Sequence, residues 1–175
     1  RNYNNVNKII IKEEIDTVIH LAAKISLQEA QRKPKEYYDN NVNGTKNLLK
    51  AIKNTKVKNF IFSSTAAVYS GNNQICCKES LKPKPKGLYG KTKFIGEKII
   101  KNFCKNEKKK LIILRYFNVV GASPSMKIGP IKDYGQLFKK LAKIALKHRP
   151  IVKVYGNKHN TYDGSCVRDF IDVND

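Results

Sequence analysis

The sequence predicts an α/β domain built around a doubly wound parallel sheet. Short apolar runs rich in β-branched residues alternate with longer amphipathic segments along most of the 175 residues, which is the strand and helix order of such domains. Small or polar residues follow several of these runs, and open α/β sheets bind ligands at the carboxyl ends of their strands. We therefore expect a functional site beyond those strand ends.

Four elements are predicted in the first half of the chain. The run IDTVIHLAA at 15–23 is typical of a buried parallel strand, and NFIFSS at 59–64 of a second one. Between them, 34–54 begins with proline and is predicted to be a helix. Its apolar positions at helical spacing are Tyr38, Val42, Leu48, Leu49 and Ile52. Residues 71–87 contain glycine, asparagine and two Lys-Pro pairs, which indicates an irregular loop.

Four further elements are predicted in the second half. Residues 89–106 form an amphipathic helix whose expected buried stripe is Phe94, Ile95, Ile99, Ile100 and Phe103. The run KLIILRYF at 110–117 predicts a fully apolar strand. A basic amphipathic helix is expected at 134–150, where a proline ends it, and a last short strand at 151–156.

The distribution of charge says more about function than its total. The chain has 35 Lys and Arg against 14 Asp and Glu, a formal net charge of +21. The lysines occur in nearly every segment, and no basic motif interleaved with aromatic residues accompanies them, so a nucleic-acid partner is not expected. A basic binding module without catalytic activity is the alternative from another class of function.

The length of the apolar runs and the spacing of the cysteines argue against a membrane span and against a metal site. No run approaches the ~20 apolar residues of a membrane span, so we expect a cytoplasmic protein without a membrane partner. The four cysteines form no C-x-x-C pair, no metal site is predicted, and His20 within the first strand is expected to be a satisfied core residue. Because the chain opens on Arg1 and stops at Asp175 inside an apparent new element, we expect further chain on both sides.

Tyr89 and Lys93 lie four residues apart at the start of a predicted helix, within GLYGKTKFIGE. A spacing of four puts both on one helix face, so they are either a trivial surface pair or an acid/base device. Thr65 follows the strand at 59–64 and would bring a hydroxyl to the same point. A neighbouring ammonium lowers the pKa of a phenol, and such a phenol can take a proton from an alcohol during dehydrogenation by hydride transfer.

The motif YGKTK, preceded by FIFSSTAAVY, resembles the Tyr-x-x-x-Lys and Ser/Thr signatures of the extended short-chain dehydrogenase/reductase family. Within that family, the UDP-hexose 4-epimerases are similar to this chain in collinear order over essentially its whole length. The stretches that carry this likeness are IDTVIHLAA, KPKEYYDNNVNGT, VKNFIFSS, LRYFNVVGASPS and DGSCVRDFIDVND. The resemblance implies NAD-dependent epimerisation at C4 of a UDP-hexose through a transient 4-keto sugar.

The resemblance also implies roles for individual residues. Tyr89 matches the general base that takes the proton of the sugar 4-hydroxyl. Lys93 matches the lysine that holds the nicotinamide ribose and lowers the pKa of that tyrosine, and Thr65 matches the hydroxyl that bonds the reacting sugar oxygen. Besides these three, the implied NAD contacts are Leu21, Ala22, Ala23, Lys24, Asn40 and Phe117. Besides Thr65 and Tyr89, the implied UDP-sugar contacts are Asn118, Gln136, Tyr155 and Arg168.

The family resemblance also predicts how the chain divides into domains and which other activities must be considered. The resemblance implies that residues 1–122 form a partial, Rossmann-like NAD-binding domain and 123–175 the start of a small nucleotide-sugar-binding region. A homodimer is implied. Nucleotide-sugar 4,6-dehydratases and other members of the family are the alternatives. The dehydratases carry an acidic pair directly after the active-site Thr, whereas Ala66 and Ala67 follow Thr65 here.

Overall fold

The protein is described by a computed structural model that covers residues 2–72, 76–125, 127–129, 136–146, 151, 152, 154 and 156–175. The chain forms two compact units, Arg1–Tyr116 and Phe117–Asp175. The first unit contains a three-stranded parallel sheet in the order β1 (Thr17–His20), β2 (Asn59–Thr65) and β3 (Lys110–Tyr116). The predicted fold class is confirmed by this sheet and by the helices that connect its strands.

The helices of the first unit lie between and before these strands. They are α1 (Tyr3–Lys12), α2 (Leu27–Arg32), α3 (Pro34–Tyr38), α4 (Gly44–Ile52) and α5 (Leu88–Asn106). A five-residue π-turn (Asp39–Asn43) joins α3 to α4, and a 3-10 turn (Ala66–Tyr69) follows β2. The helix predicted at 34–54 is therefore interrupted by a π-turn, which local propensity does not reveal. No helix in the described parts of the chain is long and apolar enough to cross a membrane.

One face of the sheet carries the hydrophobic core of the first unit. Strand β2 alternates strictly, with Phe60, Phe62 and Ser64 buried on the face that α1, α4 and α5 cover. Burial of each large apolar side chain there contributes roughly 1.5–3 kcal/mol. The opposite face keeps large apolar side chains exposed, namely Ile19 at 60%, Ile112 at 55% and Leu114 at 37%.

Helix packing departs from the expected apolar stripes in two places. Tyr38 is 39% exposed, and Tyr37 is fully buried in its place. The cause is the π-turn, whose longer repeat aligns Tyr37 with Val42, five residues on. In α5 the apolar stripe is largely half-buried, and polar residues share the buried face because they find partners at the carboxyl end of β2. That buried face consists of Gly90, Thr92, Lys93, Gly96, Glu97, Ile100 and Cys104.

The second unit is smaller. Strands β4 (Asn118–Val120) and β5 (Phe170–Asp172) pair in parallel, and α6 (Leu137–Ala145) contacts them through an edge-on ring contact of Phe138 with Phe170 at 5.2 Å. Helix α6 confirms the central part of the helix predicted at 134–150, whose ends at 134, 135 and 147–150 lie outside the described residues. The strand predicted at 151–156 is wrong for its four described positions, which join no sheet and keep their apolar side chains exposed.

Candidate active site

Thr65, Tyr89 and Lys93 meet at the carboxyl end of β2. Thr65 is the last residue of β2, and its Oγ1 accepts a hydrogen bond from the Ala67 N–H at 3.2 Å. The Tyr89 side chain lies in the first turn of α5, close enough to the Thr65 hydroxyl for that hydroxyl to lower the pKa of the tyrosine. Lys93 lies one turn further on, is 4% exposed and donates from Nζ to the Ser63 carbonyl at 2.6 Å. The structure thus brings the three predicted catalytic residues together.

A glycine permits this close approach. A Cβ on Gly90 would lie 2.7 Å from the Ala67 carbonyl oxygen and 3.1 Å from Cβ of Pro85. Real Cβ atoms essentially never come so close to a backbone oxygen. Gly90 therefore allows the first turn of α5, with Tyr89, to rest on the 3-10 turn that follows Thr65.

The protonation behaviour of the pair differs from the prediction. Burial raises the pKa of Tyr89, and the nearby Thr65 hydroxyl offsets part of that rise. The sequence analysis expected Lys93 to lower the pKa of Tyr89, but in the protein without ligands this pKa is raised. The Lys93 ammonium binds the Ser63 carbonyl and sits 4.9 Å from the ring centre of Phe62, and burial lowers its own pKa to about 8.

The predicted cofactor loop follows β1. Leu21 is 64% exposed, Ala22 is exposed and Ala23 is half-buried. A pocket of about 230 Å³ has Ala22 and Asn40 in its wall, together with Asn2, Tyr3, Val6, His20, Gly44, Asn47 and Leu48. The polar amides and the phenol ring of this wall are groups that can bind part of a nucleotide.

The side chain of Lys24 is engaged within the protein. Its ammonium pairs with Glu29 of α2 and Glu36 of α3, each at 2.5 Å, and these hydrogen bonds raise the pKa of Lys24. The position where the sequence predicts an NAD contact is therefore held by ion pairs through its ammonium.

Asn41 is a functional candidate that the sequence analysis missed. It lies in the π-turn, is 5% exposed, and its amide exchanges two hydrogen bonds with the Lys24 backbone, at 2.8 Å and 3.0 Å. The same amide donates to Thr92 Oγ1 at 3.2 Å, and Thr92 donates to the Tyr89 carbonyl at 2.9 Å. The only available sequence signal was the run of amides in DNNVN, since the π-turn itself has no clear sequence signature.

His20 is a satisfied core residue, as predicted. Its Nε2 lies 2.9 Å from Thr45 Oγ1, and that hydroxyl donates its own proton to the Asn41 carbonyl at 2.7 Å. The single hydroxyl proton is thus committed, so His20 must carry its proton on Nε2. Burial, with a smaller contribution from the charge of Lys93, lowers the pKa of His20 to about 4. In the described part of the chain, no three His, Cys, Asp or Glu side chains are arranged to hold a metal ion.

A second buried network, also missed, lies one turn beyond Lys93. Glu97 is 1% exposed and accepts two hydrogen bonds from Arg115 of β3, at 2.9 Å and 2.7 Å. It also accepts the Ser64 hydroxyl at 2.5 Å, and Arg115 donates to the Tyr69 hydroxyl as well. The network joins α5 to β2, β3 and the 3-10 turn. Its sequence signal is a further spacing of four after Tyr89 and Lys93.

The second unit brings two predicted substrate residues near each other. Asn118 donates from Nδ2 to the carbonyl of Asp169 at 2.9 Å, next to Arg168, because β4 and β5 pair at this point. Arg168 is exposed and donates to the Val167 carbonyl at 3.0 Å. Phe117 is 42% exposed, and Gln136 is exposed at the start of α6. Tyr155 lies outside the described residues.

Comparison with known proteins adds a family and several relatives. The model of the NAD dependent epimerase/dehydratase family matches residues 1–175. UDP-glucose 4-epimerase of Halalkalibacterium halodurans is 40% identical over 174 residues, which are 97% of this chain and 51% of that protein. UDP-glucose 4-epimerase 2 of Oryza sativa subsp. japonica is 38% identical over 178 residues, which are 100% of this chain and 44% of that protein.

A solved structure shows the same fold. UDP-glucose 4-epimerase from Bifidobacterium longum, in complex with NAD+ and UDP, is 35% identical and superposes with a TM-score of 0.88. The match covers 98% of this chain and 52% of that one. The chain therefore spans about half the length of the curated relatives it matches.

Proposed function

Because the chain belongs to the NAD dependent epimerase/dehydratase family, we propose that the complete protein catalyses NAD-dependent epimerisation at C4 of a UDP-hexose. The observation that carries the proposal is the meeting of Thr65, Tyr89 and the buried ammonium of Lys93 at the carboxyl end of β2. The substrate class is supported by relatives named UDP-glucose 4-epimerase at 38% and 40% identity.

The residues present fit NAD. Lys93 has three N–H donors, and Ser63 is its one hydrogen-bond acceptor among the described residues, so further donors can serve ribose hydroxyls. Ala22 and Asn40 in the pocket wall are the residues expected to line the same cofactor. Leu21, Ala23 and Lys24 are the further proposed cofactor contacts in the loop after β1, and the family resemblance adds Phe117. When bound, NAD supplies the acceptor and donor of the hydride at C4.

Proton transfer falls to Tyr89. In the oxidation half-reaction its phenolate takes the proton of the sugar 4-hydroxyl, and in the reduction half-reaction it returns a proton to that oxygen. Thr65 donates to or accepts from the same sugar oxygen and holds it in line with Tyr89. The raised pKa keeps Tyr89 protonated in the protein alone, so its base form requires an added positive charge, which the nicotinamide ring of NAD+ carries.

The remaining assignments belong to the same proposal. Arg168 and Asn118 would bind the nucleotide-sugar, since a guanidinium offers a planar fork of donors to a diphosphate. Gln136 and Tyr155 would also bind the nucleotide-sugar. In this proposal residues 1–122 bind NAD, and residues 123–175 begin the region that binds the nucleotide-sugar. We further infer a cytoplasmic homodimer that uses the α3–α4 stretch and α5.

Elimination of water is the less suitable chemistry for this site. A dehydratase needs an acid that protonates the departing hydroxyl. Ala66 and Ala67 occupy the two positions after Thr65 and begin the 3-10 turn. Neither methyl side chain can donate a proton, so the strand end favours epimerisation.

The proposal is tested by Tyr89→Phe in a complete enzyme that contains this chain. We expect the conversion of UDP-galactose to UDP-glucose to fall by about 10²–10⁴-fold, the usual contribution of general acid/base catalysis, while NAD stays bound. The control is Tyr162→Phe, which removes a hydroxyl from a fully exposed tyrosine and should leave turnover unchanged. Near-normal turnover of the Tyr89→Phe enzyme would refute the assignment.

A further inference from the structure

We propose that the three lysines of segment 82–86 attract the diphosphate of the nucleotide-sugar towards the first turn of α5, which carries Tyr89. The segment reads KPKPK and is called the lysine segment below. The inference rests on the proposed function, which supplies a substrate with two negative charges. None of these lysines is among the residues to which the family resemblance gives a role.

The alternation of lysine and proline gives the lysine segment an extended backbone. Proline fixes its own φ at about −65°, and a residue that precedes proline is kept out of the helical region. The exposure of the side chains follows the same alternation, since Lys82, Lys84 and Lys86 are exposed and Pro83 and Pro85 are half-buried. An extended chain of this kind rises about 3.1 Å per residue, so neighbouring lysines lie about 6 Å apart along it.

Backbone hydrogen bonds hold the lysine segment against the 3-10 turn that follows β2. The Lys84 N–H donates to the Val68 carbonyl at 2.8 Å. The Lys86 N–H donates to Ser70 Oγ at 3.0 Å. These bonds use the backbone of the segment, so its position does not depend on the lysine side chains.

The lysine segment also touches the first turn of α5. A Cβ placed on Gly90 would lie 3.1 Å from Cβ of Pro85, and Gly90 follows Tyr89 in that turn. The segment therefore lies beside the proposed base. This is also the carboxyl end of the sheet, where open α/β sheets bind their ligands.

The positive charge of the lysine segment has no local counterpart. The sequence has five lysines and no acidic residue between Glu79 and Glu97, and Glu97 is buried and bound to Arg115. Among the residues that the structure describes, no carboxylate pairs with an ammonium of the lysine segment. The positive end of the α5 dipole lies at the same place. An anion that approaches Tyr89 therefore meets a positive potential, which raises its local concentration.

The size of the attraction depends on salt. We take each of the three ammoniums to lie about 10 Å from a ligand with two negative charges. Coulomb's law in water, with screening, then gives an affinity about 20-fold higher at 0.01 M salt and about fivefold higher at 0.1 M. At 1 M salt the same charges change the affinity by less than about 1.3-fold.

The experiment uses a complete enzyme that contains this chain. One triple variant combines Lys82→Gln, Lys84→Gln and Lys86→Gln, and a second one carries arginine at the same three positions. The matched control is the glutamine triple variant at the exposed lysines of the opposite end of the sheet, which are Lys105, Lys108 and Lys110. It loses the same charge about 20 Å away, at the amino end of β3. The measurements are kcat and KM for UDP-galactose at 0.01, 0.1 and 1 M salt, and Tm.

We expect the glutamine variant of the lysine segment to keep kcat within about twofold and its Tm, because the backbone anchors remain. Its KM should rise by about 20-fold at 0.01 M salt and by about fivefold at 0.1 M, and should equal that of the unsubstituted enzyme at 1 M. The arginine variant keeps the three charges and should keep the original KM. The control variant should change KM by less than about twofold at every salt concentration.

Two results would overturn the inference. One is a rise in KM that is as large at 1 M salt as at 0.01 M, which would indicate a structural role of the segment. The other is an equal rise in KM for the control variant, which would indicate an effect of net charge alone.

The dissociation constant of UDP, measured by calorimetry at the same salt concentrations, gives this comparison without turnover. If the unsubstituted enzyme binds UDP but does not epimerise, the proposed function fails, and the dissociation constants of the variants still decide the inference. An unsubstituted enzyme that does not bind UDP would overturn the inference directly.

Discussion

Substitution of Glu97 tests quantitatively how α5, the helix that carries Tyr89 and Lys93, is held to the sheet. Glu97→Gln removes the negative charge beside Arg115 and places an amide N–H against a guanidinium N–H. Breaking a buried ion pair by removing one partner typically costs about 3–5 kcal/mol. Arg115 keeps 17% of its side chain exposed, against 1% for Glu97, and is partly hydrated. We therefore expect the lower end, about 3 kcal/mol.

The free energy of unfolding is measured by urea denaturation of the complete protein without added NAD or UDP-sugar. With a slope of about 2 kcal/mol per molar urea, the midpoint should fall by about 1.5 M. Arg115→Met should cost a similar amount, since it leaves the Glu97 carboxylate buried without its partner. The double variant leaves no unpaired charge, so its loss should stay well below the sum of the two.

Two results would show that the reasoning about this pair is wrong. One is a loss below about 1 kcal/mol for Glu97→Gln, the value of a solvated surface pair. The other is strict additivity in the double variant, which would mean that Glu97 and Arg115 stabilise the fold independently.

Two further predictions concern the site itself. Burial lowers the pKa of Lys93 to about 8, below its ordinary 10.5, so the unfolded chain holds more protons between these pH values and stability should rise with pH across that window. Lys93→Met should therefore abolish turnover but raise the free energy of unfolding at pH 7 by about 2 kcal/mol, because removing the buried charge gains about 3 kcal/mol and losing the Ser63 hydrogen bond costs about 1 kcal/mol. Urea titrations should show that this gain shrinks as the pH rises towards 10.5. A gain that does not change with pH would contradict this account. Gly90→Ala should lower kcat by about 10–100-fold, because the added Cβ would push the first turn of α5 away from the Ala67 carbonyl. Gly87→Ala should leave kcat unchanged, because nothing lies within 4 Å of its added Cβ. Equal kcat values for the two variants would refute the steric argument.

The sequence predicted the parallel sheet because its apolar runs are strongly periodic. An apolar strand ends near Thr65 and an amphipathic helix begins beside Tyr89, which made a meeting of Thr65, Tyr89 and Lys93 possible, and the family resemblance turned that possibility into a prediction. At its four described positions the strand predicted at 151–156 is wrong, because an apolar run forms a strand only where a neighbouring strand pairs with it. Helix α1 went unpredicted because its polar first turn, YNN, masks the apolar positions that follow.

Asn41 and Glu97 could not be predicted as buried, because their burial depends on partners distant in sequence. Asn41 is buried only because a π-turn directs it towards Lys24 and Thr92, and no composition rule announces such a turn. Glu97 of α5 is buried because Ser64 of β2 and Arg115 of β3 both donate hydrogen bonds to its carboxylate. In both cases tertiary pairing overrides the tendency of polar side chains to face water.

The polar buried face of α5 has a consequence for protein engineering. Libraries screened for heat resistance select substitutions that remove an unfavourable buried charge, and on this helix Lys93 is such a position. Such a screen would enrich Lys93 variants that are more stable than the parent protein and have lost the proposed chemistry. An engineer who wants a more stable protein should hold Lys93 constant and place the diversity on the half-buried apolar stripe beside it.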